Sequence, residues 1–190
     1  TPPISPTPPP SPSATGEAAM SGGYQIGPDG VLVRPAEHAA STYTKPELPD
    51  EAKENTERGA ELAAEYLIDT LTYAWNTGDT RLFEEITQPG ENFRETYIQN
   101  NIYSKGWLFG NSTTITNIIA VEPVSVDKFH AEPNTIGVAL EIETADGIAC
   151  TRQKITNRAS KYKAGLNLFM TWKNGRWILT DGGLDLDVEN

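Results

Sequence analysis

The strongest hydrophobic pattern in the chain is helical and lies between Pro49 and Gly78. Its apolar residues recur every three or four positions within an arc of roughly 120° of a helical wheel, while acidic residues flank that arc. Asp50 is a favourable N-cap and Gly78 a favourable C-terminal stop, so the pattern predicts a helix over residues 50–76. The inward residues are Ala60, Ala63, Ala64, Leu67, Leu71, Ala74 and Trp75.

Two shorter helices are predicted to follow the first. Asp79 caps the second, which Pro89-Gly90 ends, and the third covers residues 91–105 before Gly106. Their inward apolar residues are Leu82, Phe83, Ile86, Phe93, Tyr97, Ile98 and Ile102.

The remainder of the chain shows the alternation that is typical of strands. Residues 113–121 and 136–144 each alternate between apolar and mostly polar positions. The residues predicted to face inward are Ile115, Ile119, Val121, Ile136, Val138, Leu140 and Ile142.

Asp146-Gly147 is a favoured pair for a two-residue type I′ hairpin turn. The resulting register opposes Thr144 to Ala149, Ile142 to Thr151 and Glu141 to Arg152. It also places Cys150 on the outward face, whereas a bulge in the strand would turn that thiol into the core.

Asn174-Gly175 is the second favoured hairpin pair. The register that it predicts opposes Trp172 to Trp177, Met170 to Leu179 and Leu168 to Asp181. The two strands are apolar on both faces, so the outer face needs a cover, which is either a partner subunit or residues 24–48.

Helices followed by antiparallel strands predict an α+β fold, with three N-terminal helices packed on a strongly curved antiparallel sheet of four to five strands. This domain covers residues 49–190. Residues 24–48 form an extended arm or a small hairpin around the turn Gly27-Pro28-Asp29-Gly30. Residues 1–23 are rich in proline, serine and threonine and are predicted to be a disordered tether.

Charge and cysteine content exclude several classes of function. The net charge of −11 opposes binding to the phosphate backbone, so no nucleic-acid partner is expected. Cys150 is the single cysteine, which excludes an internal disulfide and a multi-cysteine metal site. An acidic C-terminal tail could offer calcium ligands but lacks the required loop spacing, so neither metal nor cofactor is predicted. The acidic residues in question are Asp181, Asp185, Asp187 and Glu189.

The N-terminal segment indicates a location. The sequence starts at Thr1 without a methionine and contains no apolar run long enough to cross a bilayer. We therefore expect that a signal sequence with a lipid-anchored cysteine has been removed, which places the domain on the extracellular face of the cell membrane, lipid-anchored or secreted. Membrane contact would occur only through that anchor. The alternative is an intracellular protein with a disordered leader.

Residues 64–90, with the sequence AEYLIDTLTYAWNTGDTRLFEEITQPG, and the late segment WKNGRW at residues 172–177 carry a family resemblance. Over residues 49–184 the chain resembles domain of unknown function 6318, an actinobacterial family of surface lipoproteins. The order of elements resembles the nuclear-transport-factor-two-like cone fold of ketosteroid isomerases and scytalone dehydratases. Many members of the lipoprotein family carry a cysteine pair after the second helix. Residues 88–93 contain no cysteine, so no disulfide is implied here.

A cone fold implies a pocket between the helices and the concave sheet. The residues predicted to line that pocket are Tyr66, Tyr73, Tyr97, Tyr103, Leu140 and Thr151. An enzyme would need a buried base beside a hydrogen-bond donor, for which Asp69, Asp79 and His130 are the candidates. Each has a simpler role as a solvated residue, a helix cap or a loop residue, so no catalytic residue is predicted.

The sequence thus predicts a non-enzymatic, envelope-anchored binding or interaction domain. Its partner would be a small apolar ligand or an unidentified protein, and a homodimer through the sheet is left open. The alternative is a pocket enzyme of the isomerase or dehydratase kind that uses a buried Asp or His with a tyrosine.

Overall fold

The computed structural model describes residues 20–88 and 93–185. The α-helices are α1 (Glu57–Thr77), α2 (Arg81–Glu85), α3 (Phe93–Tyr97) and α4 (Val126–Phe129), and α3 continues into a π-helical turn, Ile98–Tyr103. Short 3-10 turns are Ala36–His38, Ala40–Thr42 and Asp50–Lys53. The strands are β1 (Met20–Ser21), β2 (Tyr24–Gln25), β3 (Gly106–Phe109), β4 (Ser112–Pro123), β5 (Thr135–Thr151), β6 (Lys154–Lys173) and β7 (Arg176–Asp185).

Helix α1 is the predicted long helix, but it begins later than its sequence pattern indicates. The Thr56 side chain accepts a hydrogen bond from the Gly59 amide at 2.9 Å and thereby caps the helix. Gly78 ends it in the left-handed conformation, with φ at 79°. Asp50 was expected to be the cap and is not, because residues 50–53 form a separate 3-10 turn.

The sheet is antiparallel and strongly curled, which agrees with the predicted α+β class. Its strand order is β3-β5-β6-β7, and β4 pairs with β5. The long strand β5 therefore meets β4 along residues 136–145 and β3 along residues 148–151. The same edge of β5 thus pairs with two different strands along its length.

The predicted hairpin at Asp146-Gly147 is wrong, because β5 continues through these residues and turns only after Thr151. The register shifts between Ala145 and Gly147, where Gly147 adopts a φ of 80°. A single extra residue at this bulge reverses which side chains face α1. The predicted pairs change accordingly: Thr144 lies opposite Tyr162, Glu141 opposite Gly165, and Ala149 opposite Thr156.

The hairpin at Asn174-Gly175 is confirmed, with both residues at positive φ and Trp172 opposite Trp177. Met170 also lies opposite Leu179, as predicted. A bulge between Phe169 and Met170 then shifts the register by one residue. Leu168 therefore pairs with Gly182, and its predicted pairing with Asp181 is wrong.

One residue of β4 that was predicted to face inward, Ile119, does not. Two register shifts interrupt the pairing of β4 with β5, and Ile119 lies at the second of them and is 58% exposed. Ile115 and Val121 do pack against the core, as expected. The alternation predicted for β5 from Ile136 to Ile142 is confirmed.

The main hydrophobic core fills the space between α1 and the concave face of the sheet. Leu140 and Met170 are fully buried at its centre, and Ala60, Ala63 and Ala64 let α1 approach closely. The Trp177 indole nitrogen donates to the Glu54 carbonyl at 2.8 Å, which attaches the last hairpin to the chain before α1.

A second, smaller core lies on the opposite face of the sheet. Trp107, Phe109 and Cys150 project from β3 and β5 and are covered by Leu32. The Trp107 indole donates to the Leu32 carbonyl at 2.7 Å, and the Leu32 amide donates to the Arg152 carbonyl at 2.9 Å. We refer to residues 24–43 as the arm, since they lie over this part of the outward face.

The arm explains the state of Cys150. The thiol points away from α1, the direction that the incorrect hairpin register gave, and it is nevertheless fully buried because the arm covers it. This burial raises the pKa of the thiol. Regular structure begins within the predicted tether, because Met20–Ser21 pairs with Tyr24–Gln25. Residues 1–19 of that tether lie outside the described residues.

Candidate functional site

A cavity of about 340 Å³ lies between α1 and the concave sheet, beside the main core. Leu71 and Trp75 form its helical wall, while Ile142, Ala149 and Leu166 contribute the sheet side. The wall also carries polar side chains, so it combines apolar and hydroxyl-bearing surfaces, and small-molecule sites likewise place a few polar groups in an apolar pocket. These polar residues are Thr72, Asn111, Thr113, Thr144, Thr151 and Thr156.

Several polar side chains lie at the opening of this cavity, and all of them are exposed except Asp146, which is half-buried. Arg94, Tyr97 and Asn101 come from the α3 region, and Asp146 and Tyr162 come from the sheet. The Tyr162 hydroxyl donates to the Asp146 carboxylate at 3.3 Å. Burial and the neighbouring Asp146 raise the pKa of Tyr162, while the positive charge of Arg94 acts in the opposite direction.

The bulge in β5 shapes this cavity. It places Gly147 and Ala149 on the cavity side, so the wall carries two small residues where β-branched or larger side chains would fill the space. A Cβ atom on Gly147 would lie 2.4 Å from the Phe109 carbonyl oxygen, so only glycine fits the observed backbone. The cavity beside α1 therefore depends on the bulge at Gly147, which also changes which β5 side chains face α1.

The sequence profile of a family of unknown function, DUF6318, matches residues 35–182. The chain belongs to the DUF6318 family. The matched region includes the cavity-lining residues apart from Leu184, but of the arm it includes only residues 35–43, so Leu32 lies outside it.

Two solved structures are similar to this DUF6318 domain at the level of a distant likeness. The intermembrane-space region of the chloroplast protein ARC6 has 14% identity and a TM-score of 0.49, with 70% of this chain and 98% of that chain covered. TsrD from Streptomyces laurentii has 14% identity and a TM-score of 0.34, with 66% and 89% covered. No curated protein matches the chain in sequence.

Of the six residues predicted to line a pocket, two lie in the cavity wall of the DUF6318 domain: Tyr97 and Thr151. The Tyr97 ring is at the opening, 6.0 Å from the ring of Trp75 in an edge-on arrangement. Tyr66 and Leu140 are instead buried in the main core.

The two other predicted tyrosines also lie outside the cavity lining. The Tyr103 hydroxyl is 2.8 Å from the Trp75 carbonyl and 3.1 Å from the Leu108 carbonyl, and burial raises its pKa to about 12. These backbone contacts indicate that Tyr103 has a structural role and does not contact a ligand in the cavity. Tyr73 is half-buried on α1, where its carbonyl accepts a hydrogen bond from Thr77.

None of the candidate catalytic bases lines the cavity. Asp79 forms an ion pair with Arg81 at 2.6 Å, which lowers the pKa of that carboxyl group. Asp69 is on the exposed side of α1, and His130 lies in a loop with a positive φ. Asp79 was predicted to be the N-cap of α2, but the residue at the N-cap position is Thr80.

Sequence reasoning missed three residues at the opening of the cavity: Arg94, Asp146 and Tyr162. Asp146 was assigned to a turn, so it was not considered for the pocket. Arg94 is the only basic residue between Arg81 and Lys105, and that isolation was a usable signal. Tyr162 could be placed only after the register of β6 was known.

Two absences apply to residues 20–88 and 93–185 alone. Within these ranges no helix has both the length and the apolar character needed to cross a bilayer. In the same part of the chain, no group of three or more His, Cys, Asp or Glu side chains is arranged to hold a metal ion.

Proposed function

We propose that this DUF6318 domain binds a small, largely apolar molecule in the cavity between α1 and the sheet, and that its role is binding without catalysis. The cavity itself is the observation that carries the proposal. Its wall combines apolar side chains with a few hydroxyl and amide groups, which is the usual arrangement of a small-molecule site. The wall comes largely from α1 and β5, both of which also contribute residues to the main core.

The volume limits the size of the ligand. At about 30 Å³ per water-sized group, 340 Å³ accommodates roughly eleven such groups. At roughly 0.3 kcal/mol per non-hydrogen atom, a ligand of this size would bind with roughly 3 kcal/mol, which corresponds to a dissociation constant in the millimolar range. The proposal therefore concerns short-chain or single-ring apolar compounds.

The positions of the ionisable groups support binding over an isomerase- or dehydratase-like reaction. A general base needs to reach its substrate and benefits from a desolvated position. Among the residues that the structure describes, Asp146 is the one carboxylate in the cavity lining, and it is half-buried beside the exposed Tyr162 at the opening. This pair is better suited to contact a ligand head group than to abstract a proton.

Replacing Ala149 with phenylalanine tests the site directly. The new ring would occupy the cavity from the β5 side, so we expect binding of 1-octanol to weaken at least tenfold. Isothermal titration calorimetry on the full chain measures the affinity, and thermal unfolding verifies that the variant is folded.

Asn167→Phe is the matched control. Asn167 is exposed between Leu166 and Leu168 on β6, so the same ring would lie on the outer face of the sheet. This variant should bind 1-octanol as the wild type does. If Ala149→Phe also retained wild-type binding, the cavity would not be the ligand site.

We also propose that the domain acts on the extracellular face of the cell membrane, either lipid-anchored or secreted. Seven of the first twelve residues are proline, a composition suited to an extended spacer that holds a domain away from a surface. The single thiol is buried under the arm, which protects it in an oxidising compartment.

Protease treatment of intact cells that carry the natural gene tests this location. We expect the domain to be cleaved without lysis, or to be found in the medium. Retention in the cytosolic fraction together with full protection until lysis would contradict it.

A further inference from the structure

Arg94 places a positive charge at the opening of the cavity. Its side chain is exposed and lines the opening, and none of the ion pairs among the side chains that the structure describes includes it. Some other basic residues, such as Arg176, also lie outside the ion pairs of the described side chains, but Arg94 is the basic residue that lines the cavity there. The basic residues that do pair are Lys53, Arg58, Arg81, Lys161 and Lys173.

The groups facing Arg94 across the opening define the chemistry available to a ligand. Tyr162 lies close enough for the charge of Arg94 to act on its hydroxyl, and that hydroxyl makes only a long bond to Asp146, at 3.3 Å. Asn101 adds an amide to the same rim. Hydrogen-bond donors are thus available beside one positive charge. Asp146 lies on the same rim, and Asp181 lines a neighbouring cavity that also includes Arg94.

We propose that the ligand is an amphiphile with a single carboxylate, whose head group is bound by Arg94 and whose apolar body lies against Leu71, Trp75 and Ala149. A guanidinium binds a carboxylate through two parallel hydrogen bonds, which gives both affinity and orientation. This inference rests on the proposed function, since it requires the cavity to be the binding site.

The neighbouring Asp146 restricts the charge of the head group. A dianion such as a phosphate monoester would bring more negative charge toward that carboxylate than Arg94 alone can offset. A monoanion is balanced by the one guanidinium. An alkylammonium head group would instead be repelled by Arg94 and attracted only to Asp146.

The test compares octanoate, 1-octanol and octylammonium, which share one alkyl chain and differ in head-group charge. Calorimetry on the full chain should show octanoate binding about three- to tenfold tighter than octylammonium. Arg94→Gln should weaken octanoate binding, relative to 1-octanol binding of the same variant, by a similar factor. Raising the salt concentration should weaken octanoate binding and leave 1-octanol binding unchanged, because screening acts on charge pairs and 1-octanol carries no charge.

Arg176→Gln is the control for the loss of one positive charge. Arg176 is exposed beside the last hairpin turn and does not line the cavity, so its removal should leave all three affinities unchanged. The inference is overturned if Arg94→Gln and Arg176→Gln behave alike, or if octylammonium binds as tightly as octanoate. If none of the three compounds binds the wild type, the proposed function fails as well. Binding of 1-octanol without a preference for octanoate removes only the assignment to Arg94.

Discussion

Gly147→Val is expected to lower the free energy of unfolding by about 3–5 kcal/mol. Gly147 has a φ of 80°, a conformation that costs a residue with a side chain roughly 1–2 kcal/mol, and more for a β-branched one. Its Cβ would also lie 2.4 Å from the Phe109 carbonyl oxygen and 2.7 Å from the Asn111 amide nitrogen. Because these are backbone atoms of β3 and the segment after it, relief requires the paired strands to separate.

Urea denaturation of the two proteins measures this loss, and Gly175→Val separates its two causes. Gly175 has a similar φ of 78°, but no atom lies within 4 Å of the position that its Cβ would occupy. That control should lose only the conformational part, roughly 1–2 kcal/mol. Equal losses in the two variants would mean that close packing at the β5 bulge contributes nothing.

Trp107→Ala is expected to destabilise the protein by about 3–5 kcal/mol and to loosen the arm. Trp107 is buried at the centre of the second core, and its indole donates to the Leu32 carbonyl at 2.7 Å. Removal of the ring leaves a cavity between the sheet and the arm, and it also removes the donor for that carbonyl.

The reactivity of Cys150 toward a thiol reagent reports on the arm independently of global stability. In the wild type the thiol is buried and its pKa is raised, so modification should be slow at neutral pH. In Trp107→Ala under native conditions, modification should be much faster. The control is Trp75→Ala, which removes the same ring from the cavity wall without touching the arm. Protection of Cys150 that persisted in Trp107→Ala would show that the arm stays docked without the indole.

Features that depend on neighbouring residues were predictable from the sequence, whereas those that depend on distant partners were not. The body of α1, the alternation from Ile136 to Ile142 and the Asn174-Gly175 hairpin all follow from local patterns. Asp146-Gly147 carries the same local signal as Asn174-Gly175. It forms a bulge because β3 and β6 both extend beyond it and pair with residues 148–151.

The candidate site was only partly predictable, for the same reason. Thr151 lies in the cavity wall, but its side chain faces that way because of the bulge and not because of the hairpin register that suggested it. Tyr66 and Tyr103 were reasonable candidates as helical tyrosines, yet one packs in the core and the other bonds to backbone carbonyls. Arg94, Asp146 and Tyr162 come from three segments that meet only in the folded chain.

The arm determines how a mechanical load on the N-terminal segment would enter the domain. A force applied to the chain before Met20 reaches the backbone bonds of the arm first, including Val33 to Gln25 at 2.7 Å and Leu32 to Arg152 at 2.9 Å. The Arg34 side chain then transmits it to the end of α1, through the bond to the Asn76 carbonyl at 2.6 Å. The arm would thus detach before the main core unfolds. Tension on the N-terminal segment would then expose Trp107 and Cys150 while α1 stays packed beside the cavity.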